Sequence, residues 1–171
     1  SLDFLSCSKI KFLKKPNAEM ARIEEAKIHY EFKKLPLNFT YLTAASFISE
    51  FSLRMTEPDQ STREMFLILT NTLYQLNAGM PLSLCLNAFL CKSFSALGYP
   101  PSLLRCVQCE TPSHQSTARY WSKNAGGMLC ENCKTDTAKK ILSDDLLLYF
   151  EKLTTKPFKS LNYNAVEPHF E

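Results

Sequence analysis

The segments RCVQC, at residues 105–109, and GGMLCENC, at 126–133, decide how this chain reads. Each carries a Cys-x-x-Cys pair: Cys106 with Cys109 and, after twenty intervening residues, Cys130 with Cys133. A Cys-x-x-Cys turn aims two sulfurs at one point. Two such turns close a tetrahedron of thiolates around Zn²⁺, with bonds of about 2.3 Å. Pairs separated in this way form a structural-zinc pattern. Gly126 and Gly127 supply the backbone freedom to bring the second turn in. The expectation is one structural Zn²⁺ on Cys106, Cys109, Cys130 and Cys133.

Three other chemistries compete for these cysteines. A thioredoxin-like redox site needs a Cys-x-x-Cys in a βαβ setting, and no such pattern is present. A hydrolytic zinc site could use His29-Tyr30-Glu31, an H-x-E string, with a Cys-x-x-Cys. Two complete pairs, however, fill all four positions and leave none for water. His114, between the pairs, could replace one thiolate; with four cysteines at hand it is expected to be solvated.

Working outward, seven cysteines in 171 residues are too few for a disulfide scaffold and fit a reduced, cytoplasmic protein. A hydrophobic fraction of 45% and a charged fraction of 22% are ordinary for a folded chain. Neither a long apolar span nor a signal peptide is visible, so no membrane association is expected. The net charge of +3 is uneven: +3 over residues 1–36, −1 over 37–103, +3 over 104–140 and −2 over 141–171. Such segregation hints at a polyanion-binding side.

The helical pattern is clear after Pro36. Tyr41, Ala44, Ile48, Phe51 and Met55 define one helical face. Ser61-Thr62-Arg63-Glu64 fits a capping box, followed by a stripe of Phe66, Leu69, Leu73 and Leu76. Residues 83–97 are apolar on nearly all sides and predict a central helix, with Cys85 and Cys91 as small buried hydrophobes. Gly98 and the prolines after it end that helix. Ser143-Asp144-Asp145 starts another, with Leu146, Leu147, Tyr149, Phe150 and Leu153 facing the core. Before Pro36, residues 2–15 alternate apolar and basic, as in a half-buried strand, and residues 19–32 are ambiguous between strand and helix.

The stretch SFSALGYPPSLLRCVQCETP (93–112), followed by NAGGMLCENC (124–133), resembles the RecO family of bacterial DNA repair proteins. MFLILTNTLYQLNAG (65–79) and LCLNAFLCKSFSALG (84–98) look like that family's two helices before the finger. The resemblance implies an N-terminal OB barrel, a helical domain and a zinc finger. It also implies binding and annealing of single- and double-stranded DNA, RecR and the SSB tail as partners, RecA loading, and no nucleotide hydrolysis.

The expected fold is therefore mainly α: a helical bundle with an inserted four-cysteine zinc finger and a short N-terminal β remnant of an OB-fold. The expected divisions are 1–30 for partial OB strands, 31–103 for the helical domain, 104–135 for the finger, 136–156 for a returning helix and 157–171 for a tail. A full OB barrel needs about five strands, so the chain reads as lacking most of its barrel. The expected DNA contacts are Lys9, Lys11, Lys14 and Lys15, then Lys33, Lys34, Arg119 and Lys123. These lysines and this arginine would hold phosphates without reading bases. The alternative is a zinc-stapled interaction scaffold with no DNA affinity of its own.

Overall fold

A computed structural model describes residues 5–16, 19–57, 63–100, 102–136, 138–141 (the last three as backbone) and 143–161. In chain order the elements are β1 (Ser6–Leu13), β2 (Arg22–Glu31), α1 (Phe39–Arg54), α2 (Arg63–Asn77), α3 (Leu82–Ala96), β3 (Arg119–Ser122), β4 (Gly127–Cys130), β5 (Lys139–Ile141) and α4 (Asp144–Thr155). Among the described residues the architecture is mixed, four helices with two small sheets, so the mainly-α expectation holds only loosely. The extra β structure lies in the cysteine region, where strands of three or four residues are too short to show a period.

α3 is the centre, and its all-round apolar surface has a plain cause. One side meets Phe32, Leu35, Ala45, Ile48, Ile68, Leu73 and Leu76 through Cys85 and Phe89. The other meets Leu153, Phe158 and Leu161 through Leu84, Ala88 and Cys91. Two cores on opposite faces leave little of the helix for polar residues. Cys85 and Cys91 are buried thiols, and burial pushes them up to about 12 and about 11. α3 ends in a Schellman motif. Tyr99 N donates to Phe94 O at 2.8 Å and Gly98 N to Ser95 O at 3.1 Å, with Gly98 at a φ of 85°.

α1 follows most of its expected face, with Ala44 and Ile48 buried, but Met55 lies beyond the helix end and is exposed; the helix starts on a cap that periodicity does not reveal. Asn38 Oδ1 accepts from Thr40 N at 3.0 Å and Tyr41 N at 3.2 Å. α2 corrects its expected stripe. Leu73 and Leu76 are buried, but Met65, Ile68 and Thr72 complete the face and Phe66 is 52% exposed. The buried face is rotated by about one residue. Thr72 tolerates burial because its hydroxyl donates to Ile68 O at 2.7 Å. Of the expected capping box, Ser61 and Thr62 lie outside the described residues.

β1 and β2 form an antiparallel hairpin, which resolves the ambiguous segment as strand. The half-buried expectation fails: Ile10 is 44%, Phe12 60% and Ile23 58% exposed. Among the described residues, no second layer covers the face of these two strands. The hairpin is anchored at one end, where the Tyr30 ring lies 5.0 Å from Phe32 and 5.3 Å from Tyr74. At the other terminus, the expected tail contributes to the core. Phe158, in a 3-10 turn, and Leu161 are buried against α3 and α4. Among the described residues, no helix is long and apolar enough to cross a membrane.

Candidate metal centre

The finger begins with a tight knuckle. Cys106 N donates to Thr111 O at 2.9 Å and Glu110 N to Cys106 O at 2.8 Å, turning residues 106–109 back on themselves. Glu110 takes a φ of 58° to close the turn. The second pair sits at the end of a sheet ordered β4-β3-β5. Cys130 is the last residue of β4, and Cys133 closes the 3-10 turn after it. Val107 N donates to Met128 O at 2.9 Å and Met128 N to Ser102 O at 2.8 Å, so the first knuckle lies directly on β4. Gly126 makes the β3–β4 turn at a φ of 67°. Gly127 serves close approach instead, with Ser102 and Val107 against it.

These turns bring Cys106, Cys109, Cys130 and Cys133 together, with all four Sγ atoms within 4.8 Å of one another. Cys109 Sγ and Cys130 Sγ are 3.5 Å apart, and all four thiols are free. That separation is far beyond a disulfide bond of about 2.05 Å. It approaches the edge of about 3.8 Å that a tetrahedron with bonds of about 2.3 Å requires. The four sulfurs could therefore hold a metal ion. Cys106 and Cys130 are buried, Cys133 is half-buried and Cys109 faces solvent. His114 is exposed in a separate turn and does not join the cluster.

The thiols are electrostatically unlike. The Thr111 hydroxyl, 3.2 Å from Cys109 Sγ, and the Thr111 amide pull Cys109 down to about 6. Burial raises Cys106, but the amides of Cys130, Cys109 and Gln108 outweigh it and hold the thiol below its ordinary value. Hydrogen bonding with Cys109 and Cys130 pushes Cys133 up to about 12. Without a metal, the four sulfurs share protons, because four thiolates this close repel.

A family model described as "Recombination protein O C terminal" matches residues 36–168, most of the chain. The chain belongs to the RecO family. Three relatives, each named "DNA repair protein RecO", are similar to it. One from Roseiflexus sp. is 34% identical over 102 residues, covering 60% of this chain and 36% of the relative. One from Rhodopirellula baltica is 26% identical over 159 residues, covering 92% of this chain and 59% of the relative. One from Dehalococcoides mccartyi is 32% identical over 98 residues, covering 57% and 38%. The chain thus aligns with no more than about three fifths of these RecO relatives' lengths.

On this RecO-family chain the expected phosphate contacts fall on separate elements. Lys9 and Lys11 lie on β1, and Lys14 and Lys15 just beyond it, all exposed. Lys11 Nζ meets Glu24 Oε2 at 3.3 Å, and Lys33 Nζ meets Glu31 Oε2 at 3.0 Å. Lys34 and Lys123 are exposed, the latter in the β3–β4 turn. Arg119, itself largely buried, is already engaged: Nη2 lies 2.7 Å from Oδ1 of the exposed Asp144 and Nε donates to Ser113 O at 2.9 Å. Sequence reasoning missed Thr111, and it missed Glu131 between the second pair. Glu131 accepts from Tyr120 Oη at 2.6 Å and pairs with Lys134 Nζ at 2.6 Å. An acid inside Cys-x-x-Cys, next to a lysine, was the available signal.

Proposed function

We propose that this chain is the body of a bacterial, cytoplasmic mediator of recombinational DNA repair. It would bind single- and double-stranded DNA through phosphates and anneal strands. With RecR, it would help load RecA onto SSB-coated DNA. The family match over residues 36–168 carries this reading. No covalent chemistry is assigned to the chain. Zn²⁺ on Cys106, Cys109, Cys130 and Cys133 would cross-link the finger, and four protein thiolates leave no position for water.

The lysines of the hairpin, Lys9, Lys11, Lys14 and Lys15, would track a DNA backbone, with Lys33, Lys34 and Lys123 as further contacts. Arg119 would contribute by shaping the finger, since its guanidinium is already bonded to Asp144 and Ser113. The acidic, apolar-ended SSB tail would dock in a groove of about 540 Å³ between α4 and the turn after it, with Leu84 of α3 at its side. Leu84, Tyr149, Leu153 and Leu161 line it, with Lys152 and Lys156 as its charged groups. An apolar floor with cationic groups complements such a peptide.

The pairing of Lys11 with Glu24 and of Lys33 with Glu31 favours the second reading, a zinc-stapled scaffold that binds only proteins. Filter binding of single-stranded DNA across a salt series separates the two. Phosphate contacts give a linear fall of log affinity with log salt, about −0.7 per contact. Failure to bind at low salt sinks the DNA role.

A further inference from the structure

α4 is tied down at both ends by residues outside it. At its C-terminus, Lys92 Nζ, on α3, donates to Thr154 O at 3.1 Å and Lys156 O at 2.6 Å. The last carbonyls of a helix lack partners of their own, and a cation there also meets the negative end of the dipole. At its N-terminus, Arg119 reaches Asp144 in the first turn. The Arg119 side chain is only 16% exposed, so its position is set by packing as well as by charge.

The N-terminal tie leads to the cysteines in one step. Arg119 stands opposite Cys130 in the β3–β4 pairing and opposite Ile141 in the β3–β5 pairing. β5 ends at Ile141 and α4 starts at Asp144. The strand position facing one sulfur ligand therefore carries the cation that holds the helix start. The neighbouring strand runs almost directly into that helix. The finger and the bundle are joined by a sheet and an ion pair as well as by the chain.

The groove lies at the other end of α4, where Tyr149, Lys152 and Leu153 of the helix and Lys156 and Leu161 beyond it face Leu84 of α3. We infer that Arg119 is a positioning residue that couples closure of the four-sulfur site to the placement of the first turn of α4. With the site closed, β4 is fixed, β3 pairs with it, and Arg119 is aimed at Asp144. With the site open, β4 loosens and the first turn of α4 loses its anchor. Leu153 and the Lys92 clamp still hold the other end. Loosening is then local, a sub-global opening confined to the finger and the start of α4. The inference rests on the reading of the cysteines as metal ligands and is independent of what occupies the groove.

The test uses the full chain under reducing conditions, loaded with Zn²⁺ or treated with a chelator. Amide hydrogen exchange and leucine and isoleucine methyl NMR are followed. The expected result on chelation is exchange faster by about tenfold or more at the start of α4. The methyl signals of Leu146 and Leu147, at the start of α4, shift, while those of Leu153 and Leu161 at the clamped end, and of Ile48 and Leu73, stay. A second arm keeps the metal in place. Asp144→Asn should loosen the start of α4 with one Zn²⁺ still bound, and Asp144→Glu should restore it. Arg119→Gln combined with Asp144→Asn should be no worse than Arg119→Gln alone, which also loses the bond to Ser113 O.

Unchanged exchange and methyl signals at the start of α4 on chelation overturn the inference. So do independent, additive effects of the two substitutions, or loss of protection throughout α1–α3 together with α4. A chain that binds no metal overturns the ligand reading instead, and the Asp144 variants then still test the tie by themselves.

Discussion

Gly127 and Val107 meet with no room for a side chain between them. A Cβ on Gly127 would overlap Val107 Cγ1 and lie 2.8 Å from Ser102 O. This contact seats the first cysteine knuckle on the strand that carries Cys130. Gly127→Ala should therefore force the two turns apart, at a cost of about 1–3 kcal/mol. A chelator competition assay should show weaker metal binding, and a thermal melt an earlier transition. Adding Val107→Ala should recover only part of the loss, because the Ser102 carbonyl remains. Parent-like affinity in the single variant would remove this contact from the account.

Loss of a sulfur ligand should be a finger lesion. Cys106→Ser or Cys133→Ser should bind metal at least about a hundredfold more weakly, the upper range for disturbing even the groups behind the ligands. The helical signal in circular dichroism should largely survive, because α1, α2 and α3 share a core to which no finger residue contributes. Elemental analysis of the parent should give one zinc per chain. Cooperative unfolding of the whole chain by either substitution would show that the first core needs the finger.

The thiols should separate by reactivity in the metal-free chain. Cys109 is held down to about 6 by Thr111, so it is a thiolate at neutral pH and should alkylate readily. Its rate should drop as pH falls through about 6. Cys85, pushed up to about 12, and Cys91, up to about 11, should remain unmodified. The linkage has a definite sign. A Cys109 acid depressed below its ordinary 9.0 stabilises the fold above that value, and the contribution is lost as pH falls from about 9 to about 6. Iodoacetamide footprinting by mass spectrometry, with and without Zn²⁺, checks the reactivities, and thermal melts of the metal-free chain between about pH 6 and 9 check the linkage. Rapid labelling of Cys109 in the metal-loaded chain would argue against its being a ligand.

Glu110 occupies the left-handed region at a φ of 58°, where a side chain costs about 1–2 kcal/mol. Glu110→Gly removes that strain and adds unfolded-state entropy, which offsets part of the gain. The net expectation is a finger more stable by about 0.5 kcal/mol, read as a later melting transition. An earlier transition would mean that the Glu110 side chain makes a contact worth more than the strain.

The cysteine spacing, the α1 and α3 patterns and the Gly98 stop were all legible because each is written within a few consecutive residues. α2 was legible as a helix but not in its orientation. Stripes through Phe66 and through Met65 differ by one residue, and only packing against α1 and α3 chooses between them. The hairpin was half legible: alternation announced a strand, but burial depends on a second layer that alternation does not encode.

The sequence by itself determined the helices, the two cysteine turns and membership of the RecO family. Hydrogen-bonded turns, helix faces and motif spacings are local properties of the chain. Tertiary structure decided the rest. It put Phe158 and Leu161 in the core, gave the finger its own sheet, and took Arg119 out of solvent to join Cys130's strand to the start of α4. Those outcomes depend on residues far apart in sequence competing for the same few partners, and that competition is settled only when the chain is packed.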